Sequence, residues 1–427
     1  MFHFEKKILN NGLRVILVPI KNSQAVTLQI LVNTGSKNET KEINGISHFL
    51  EHMFFKGTKR RPNPGDIDKE LDKIGASHNA FTSSEITGFW IKSSAEHLDI
   101  ILDIMADIIF NSLFKEEEIE KEKGVILEEI NTIEDMPQRK IMDVLPDVVY
   151  GDQPIGWPVV GIKETVEKIN KTNLLYYQSK NYIAPNVVLI VAGNINIEDS
   201  FEKINNLFSG LEKKEIIERK KTKIIYLPNI KILEKKTDQS HLAIGIHAYD
   251  MFDERRYALN ILSIILGGNT SSKLFMEIRQ KLGLAYYVAS FSWLQTDSGL
   301  MVMRAGISHN NLEKTVKKMV DILSEFKERG VAERELEDAK SFIKGQMALS
   351  FETTDEVADF YGEQELFYKK IMQPEEILEK VEKVTNGDIL KIAQDIFNPE
   401  KINIAVIGKQ EDRKKDEELY KNLFLKI

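Results

Sequence analysis

Cysteine is absent from the 427 residues. That absence removes disulfides, thiolate metal ligands and thiol nucleophiles together. Any metal would have to be held by histidine and carboxylate. The absence also fits a reducing compartment. Histidine is scarce, with 8 in the chain, so two close together carry information. No apolar run approaches the roughly 20 residues that span a bilayer. The first residues, from Met1 to Leu17, lack an apolar h-region and a small-residue cleavage site; they read as two strands joined by a turn at Asn11-Gly12. A cytoplasmic protein with no membrane association is expected. Positive charge is not in excess: 58 Lys and Arg against 66 Asp and Glu leave a net charge of −8, which argues against a nucleic-acid partner. Hydrophobic content of 42% with 29% charged residues is that of a globular protein, and the length calls for more than one domain.

What is present is the run His48-Phe49-Leu50-Glu51-His52. On a helix, residues four apart share a face, so His48 and His52 can aim two imidazoles at one point. Glu51, three residues after His48, borders that face. Two neutral imidazoles beside a carboxylate that does not itself bind is the equipment of a hydrolytic zinc site. The pattern H-x-x-E-H reverses the commoner H-E-x-x-H. Two core histidines beside a solvated glutamate is the bland alternative, and its share falls as the rest of the chain is read.

Taken in order, 25–33 is β-branched and apolar, hence a strand. Asn44 is a plausible cap for the helix carrying the motif. A helix follows Gly65 and ends at Gly75. Residues 77–91 read as paired strands, the first rich in small polar residues. That first strand, with Asn79, Ala80 and Phe81, is either one side of a solvent-facing hairpin or an edge strand able to accept an extended peptide. Residues 115–134 read as a helix with an acidic start. A catalytic zinc needs a third protein ligand, and this helix offers Glu122, Glu128 and Glu129. Glu122 and Glu129 share a face two turns apart; spacing alone does not choose among the three.

The charge-rich stretch 213–222 lacks Gly and Pro and is the best linker. Beyond it the pattern starts again. Residues 242–248 repeat 25–33, and 397–408 echo 182–193, at an offset of about 215 residues. At that offset Ser263 and Gly267 stand where the first half has His48 and His52, so the metal belongs to the first half only. The second half offers Arg279, and Tyr286 beyond a helix-ending Gly283. Arg is a fixed bidentate cation, and Tyr can donate to a developing oxyanion.

Together these residues resemble the inverzincin metallopeptidases, the family of insulin-degrading enzyme, pitrilysin and the mitochondrial processing peptidase. The match covers essentially the whole chain and is closest to the short bacterial processing-protease-like members. The resemblance selects Glu129, about 77 positions after His52, as third ligand, with Glu122 behind it orienting a ligand. It matches Asn79-Ala80-Phe81-Thr82 to the family's substrate-holding edge strand. It matches Arg279 and Tyr286 to residues that meet substrate and oxyanion. The long glycine-rich loop of the processing peptidase's non-catalytic subunit is missing.

The resemblance implies an α+β fold of two tandem homologous domains, 1–212 and 223–427. Each would be a largely antiparallel sheet with helices packed on one face, one half-shell of a clam. It implies one Zn2+ per chain on His48, His52 and Glu129, with Glu51 as base in the cleavage of peptides or unfolded polypeptide. Catalysis would involve Arg279 and Tyr286, and opening and closing of the domains would gate turnover. The partner would be a second copy or a paralogue. The rival reading is a non-catalytic peptide-binding or scaffold partner of a paralogous peptidase. A metal-dependent hydrolase of non-peptide substrates has no feature of its own in its favour.

Overall fold

The computed structural model describes residues 3–368, 370–409 and 413–425. In the first part of the chain the strands are β1 (Glu5–Ile8), β2 (Arg14–Pro19), β3 (Ala25–Val32), β4 (Ser77–Thr82), β5 (Thr87–Ser94) and β6 (Val187–Gly193). The helices there are α1 (Ile46–Phe54), α2 (Asp66–Lys73), α3 (Leu98–Asn111), α4 (Glu116–Asp135), α5 (Pro137–Tyr150), α6 (Lys163–Val166), α7 (Lys171–Asn181) and α8 (Ile197–Phe208). The later part contributes β7 (Ile230–Glu234), β8 (Ser240–His247), β9 (Ala285–Leu294), β10 (Gly299–Ile307) and β11 (Ile402–Gly408). Its helices include α9 (Arg256–Ser263), α10 (Leu312–Arg329), α11 (Glu333–Ser350) and α12 (Thr354–Phe367).

Two compact units result, and they are not simple halves of the chain. One comprises Met1–Ile130, Pro158–Lys220 and Met347–Pro374; the other comprises Asn131–Trp157, Lys221–Gln346 and Glu375–Ile427. The stretch expected to be a linker, 213–222, has no regular element. Its Arg219 belongs to the first unit, where it pairs with buried Glu85 at 3.1 Å.

The first unit is built on a six-stranded sheet in the order β1-β2-β6-β3-β5-β4. Only β2 and β6 run parallel; the other neighbours are antiparallel. One face packs on α1, α3 and α8 through Leu28, Ile30, Phe49, Met53, Ile101 and Ile204, all fully or nearly fully buried. The other face carries a single helix, α12, from the late part of the chain. Its Val357, Ala358 and Tyr361 bury against Ile16, Leu31, Val188 and Ile190. Gly362 allows this approach: a Cβ there would come within 2.8 Å of Ile190 and 2.9 Å of Leu31. Polar pairs fix α12 along the strands: Lys92 with Asp355 at 2.6 Å, Thr27 with Thr354 at 2.8 Å and Lys6 with Glu365 at 2.8 Å.

The second unit repeats the plan with five strands in the order β7-β11-β8-β10-β9, again with one parallel pair, β7 and β11. Its second face carries α5, from the early part of the chain, whose Ile141, Val144, Leu145 and Val148 pack on Ala243, Leu300, Val302 and Ala405. So the expected pair of sheet-and-helix domains is observed. Each also receives one helix from the opposite half of the sequence. Among the described residues no helix is long and apolar enough to cross a membrane.

Candidate metal centre

Helix α1 owes its placement to one stripe. Ile46, Phe49, Leu50, Met53 and Phe54 recur at helical spacing and are completely buried. The opposite stripe carries His48, Glu51 and His52. Asn44 does not cap the helix, contrary to the sequence-based expectation. The capping position is Gly45, in the left-handed region with φ +95°, and the side chain of Asn44 instead donates to Glu39 and to the Pro158 carbonyl.

Helix α4 lies opposite. Ile119 and Ile126 bury its inner stripe, and Glu122 and Glu129 lie two turns apart on one side of it. Glu129, not Glu128, faces the histidines: its Oε2 lies 3.6 Å from His48 Nε2 and 3.8 Å from His52 Nε2. The two Nε2 atoms are 3.3 Å apart. The candidate ligand atoms of all three residues thus lie within 4.8 Å of one another.

A cation between three electron-rich atoms that face one another would relieve their repulsion. A tetrahedral ion with bonds of about 2.0–2.2 Å has ligand-to-ligand edges of about 3.3–3.6 Å, close to the separations found here. The donor set, two imidazoles and a carboxylate, is that of catalytic zinc. The residues present fit the ion.

Protonation supports the fit. Burial, helped by the neighbouring His52, depresses the pKa of His48 to about 3, so its ring is neutral and its lone pair available. His52 donates from Nδ1 to Glu122 Oε1 at 2.8 Å, which turns its Nε2 lone pair toward the centre. Glu122 is held in turn by Lys56 Nζ at 2.9 Å. Burial would lift the Glu122 carboxyl, but the bonds from His52 and Lys56 outweigh it and hold it below its usual range. His48 lacks such support: its Nδ1 is buried with no hydrogen-bond partner.

Glu51 stands beside the triad. The Thr82 hydroxyl, at the end of β4, donates to its Oε2 at 2.5 Å. Burial pushes the Glu51 carboxyl up, Thr82 and His52 draw it back, and the charge of Glu129 adds to the rise. The net shift is upward, toward a group able to take and return a proton.

Strand β4 is the edge of its sheet, paired only with β5. Its side chains alternate. Ala80 packs toward α1, while Phe81 packs on the opposite face, where a Cβ on Gly88 would overlap the Phe81 ring at 2.4 Å. A cleft of about 290 Å³ opens where α1 and β4 meet, lined by Glu51, His52, Phe55, Lys56, Asn79 and Ala80, with Asp68, His78 and Glu122. His78 is held by Asp68 at 3.1 Å. Sequence reasoning placed Thr82 in the edge strand without its bond to Glu51, and assigned no role to Lys56 or His78. Alternation in β4 could have found Thr82 and His78, since both share a face with Ala80; Lys56 sits one turn beyond His52.

Arg279 and Tyr286 lie in the second unit. Arg279 is exposed and stacks 4.8 Å above the Phe275 ring. Tyr286 is 65% exposed at the start of β9. Gly283, with φ +60°, makes the expected turn between them.

Comparison with known proteins gives the same outline. Residues 14–162 match the family model described as insulinase, peptidase family M16, and residues 168–342 match the model described as the peptidase M16 inactive domain. The uncharacterized zinc protease YmxG of Bacillus subtilis is 36% identical over 397 residues, covering 91% of this chain and 94% of its own. An uncharacterized zinc protease of Rickettsia felis is 35% identical over 400 residues, covering 93% and 95%. The crystal structure of a protease from Helicobacter pylori superposes with a TM-score of 0.90 at 24% identity, covering 96% of this chain and 100% of that one. A Pseudomonas fluorescens structure described as a peptidase M16 inactive domain gives 0.89 at 19% identity, covering 96% and 98%. With its two tandem units and its reversed H-x-x-E-H helix, the chain belongs to the insulinase family of peptidases, family M16.

Proposed function

We propose that this chain is a zinc-dependent endopeptidase acting on peptides or unfolded polypeptide segments. The observation that carries the reading is the convergence of His48, His52 and Glu129, with the unligated carboxylate of Glu51 beside them. The names of the zinc-protease relatives support it.

His48, His52 and Glu129 would hold one zinc ion. When bound, the ion would supply a Lewis acid for the substrate carbonyl and an acidified water. The rest of the work falls to the chain. Glu51 Oε2 is engaged by Thr82, so Oε1 is the atom that takes the proton from the attacking water. Oε1 then returns that proton to the departing amine nitrogen as the peptide bond breaks, leaving the carboxyl group with the water oxygen. Glu122 keeps the His52 ring in the tautomer and orientation that face the centre.

The outer edge of β4, at Asn79, Ala80 and Phe81, would hold an extended peptide by main-chain hydrogen bonds. Side chains of that peptide on the α1 side would enter the cleft that Phe55, His78 and Asn79 help to line. Arg279 and Tyr286, with exposed side chains, are assigned to contacts with the substrate and the developing oxyanion.

The test is cleavage of an internally quenched peptide library by the purified chain. Wild type, a chelator-treated sample restored with zinc, and Glu51→Gln are run in parallel, with metal content read on each. Turnover lost on chelation, regained with zinc and absent in a metal-loaded Glu51→Gln is the expected result. A zinc-loaded wild type that cleaves no peptide would favour the non-catalytic partner reading.

A further inference from the structure

The first turn of α1 is held by a group the proposed chemistry does not use. Gly45 starts the helix without a side chain, so no hydroxyl or carboxylate of its own caps the free N–H groups. Glu39 does this from six residues upstream. Its Oε2 accepts from Gly45 N at 2.8 Å and from Asn44 Nδ2 at 2.9 Å, and its Oε1 accepts from Ser47 N at 2.9 Å. The side chain is buried, only 5% exposed. Ser47, the next possible cap, is taken: its Oγ lies 2.7 Å from the Tyr177 hydroxyl, which also meets Thr34 Oγ1 at 2.8 Å. Behind Gly45 the backbone of Gly161 leaves no space, since a Cβ there would come within 2.8 Å of it.

Because no side chain fits at Gly45, the cap has to come from elsewhere in the chain, and it is a buried carboxylate. Burial of the Glu39 carboxylate is expensive: it lifts the pKa to about 7 against the hydrogen bonds from Ser47, Gly45 and Asn44 that pull the other way. What such a group adds is rigidity. The residue after Ser47 is His48, which has no hydrogen bond on Nδ1 to hold its ring. His52 is fixed by Glu122 behind it, whereas His48 has no partner behind its ring, so its position depends more on the backbone of α1.

We propose that Glu39 is a positioning residue for the metal centre, anchoring the start of α1 so that His48 meets His52 and Glu129 at ligand distance. This rests on the reading of these residues as zinc ligands. It predicts that Glu39→Gln, which keeps the size but loses the charge and one acceptor, raises the zinc dissociation constant of the full chain about tenfold.

The measurement is competition between the purified chain and a zinc chelator, with the thermal midpoint of the metal-free protein recorded alongside. Val26→Ala, a core truncation in the same unit, is the control for lost stability alone. Weakened zinc binding in Glu39→Gln with unchanged binding in Val26→Ala supports the assignment. Binding within twofold of wild type in a folded Glu39→Gln overturns it, as does an equal loss in the control. If Glu39→Gln does not fold, Glu39→Asp decides: it keeps the charge but draws it back from the helix. A threefold or greater loss of affinity supports the anchor, and no change overturns it. A wild type that binds no zinc sinks the metal reading itself, which separates the two failures.

Discussion

The two units share a plan, five strands of the first sheet matching the five of the second, yet they differ where a helix meets the edge strand. In the first, α1 presents His48 and His52 toward α4, and a cleft separates its end from the edge strand β4. In the second, the corresponding helix, α9 with a wider turn at 264–268, lies directly on the edge strand β9. Ser263, at the place of His48, lies 3.2 Å from Ser292 Oγ. Gly267, at the place of His52, has no room for a side chain: a Cβ would come within 2.4 Å of the Ser290 amide. The difference teaches that the site is a property of the gap between a helix and an edge strand. Small residues close the gap in one unit; in the other, imidazoles and carboxylates line it.

The largest expected effect comes from removing what the first unit has and the second lacks. His52→Ala should abolish zinc retention after dialysis and lower peptide turnover by about three orders of magnitude or more, whereas Ser263→Ala should leave both unchanged. Metal analysis with steady-state kinetics on the pair checks this. Retained zinc in His52→Ala would break the assignment.

Next comes Glu51→Gln. It should keep zinc and lose about 10²–10⁴-fold in kcat, while Thr82→Val, which frees Oε2, should cost less and act mainly on kcat rather than KM. Glu122→Gln should then weaken zinc binding about 10–100-fold, because His52 loses a charged orienting partner. Chelator competition reads that value directly.

The smallest effect belongs to the second unit and to pH. His247 is 2% exposed, both of its ring nitrogens lack partners, and burial with the nearby Lys401 depresses its pKa to about 4. In the unfolded chain the ring has an ordinary pKa of about 6.5 and takes up a proton that the folded form refuses. Stability contributed by this group is therefore lost as pH falls from about 6.5 toward 4. The loss at pH 5 is on the order of 2 kcal/mol. His247→Phe should flatten the pH dependence of urea unfolding between pH 7 and 5; an unchanged slope would show that the ring is not held neutral.

The readable part of the molecule was local. The zinc motif is a helical spacing, and the duplication is a repeated strand-loop-helix pattern, so both stand in the sequence. The choice of Glu129 over Glu122 and Glu128 needed the family resemblance, because all three glutamates suit an exposed helix equally. What escaped was non-local. Asn44 looked like a cap because it directly precedes Gly45, yet the capping carboxylate comes from Glu39, set by the path of a loop rather than by a spacing rule. The exchange of α5 and α12 also escaped. An amphipathic helix shows that it buries one face, but not which sheet receives it. Phe81, expected with Asn79 and Ala80 at the substrate edge, turns its ring under α12, because alternation sends neighbours in a strand to opposite faces. Its backbone remains on the edge.

The most direct test of the central claim is zinc titration of the metal-free chain followed by X-ray absorption of the loaded form. The account predicts one zinc per chain, with a nitrogen and oxygen shell containing two imidazoles, and loss of that signal in His48→Ala. A zinc shell without imidazole, or one that survives in His48→Ala, would contradict it.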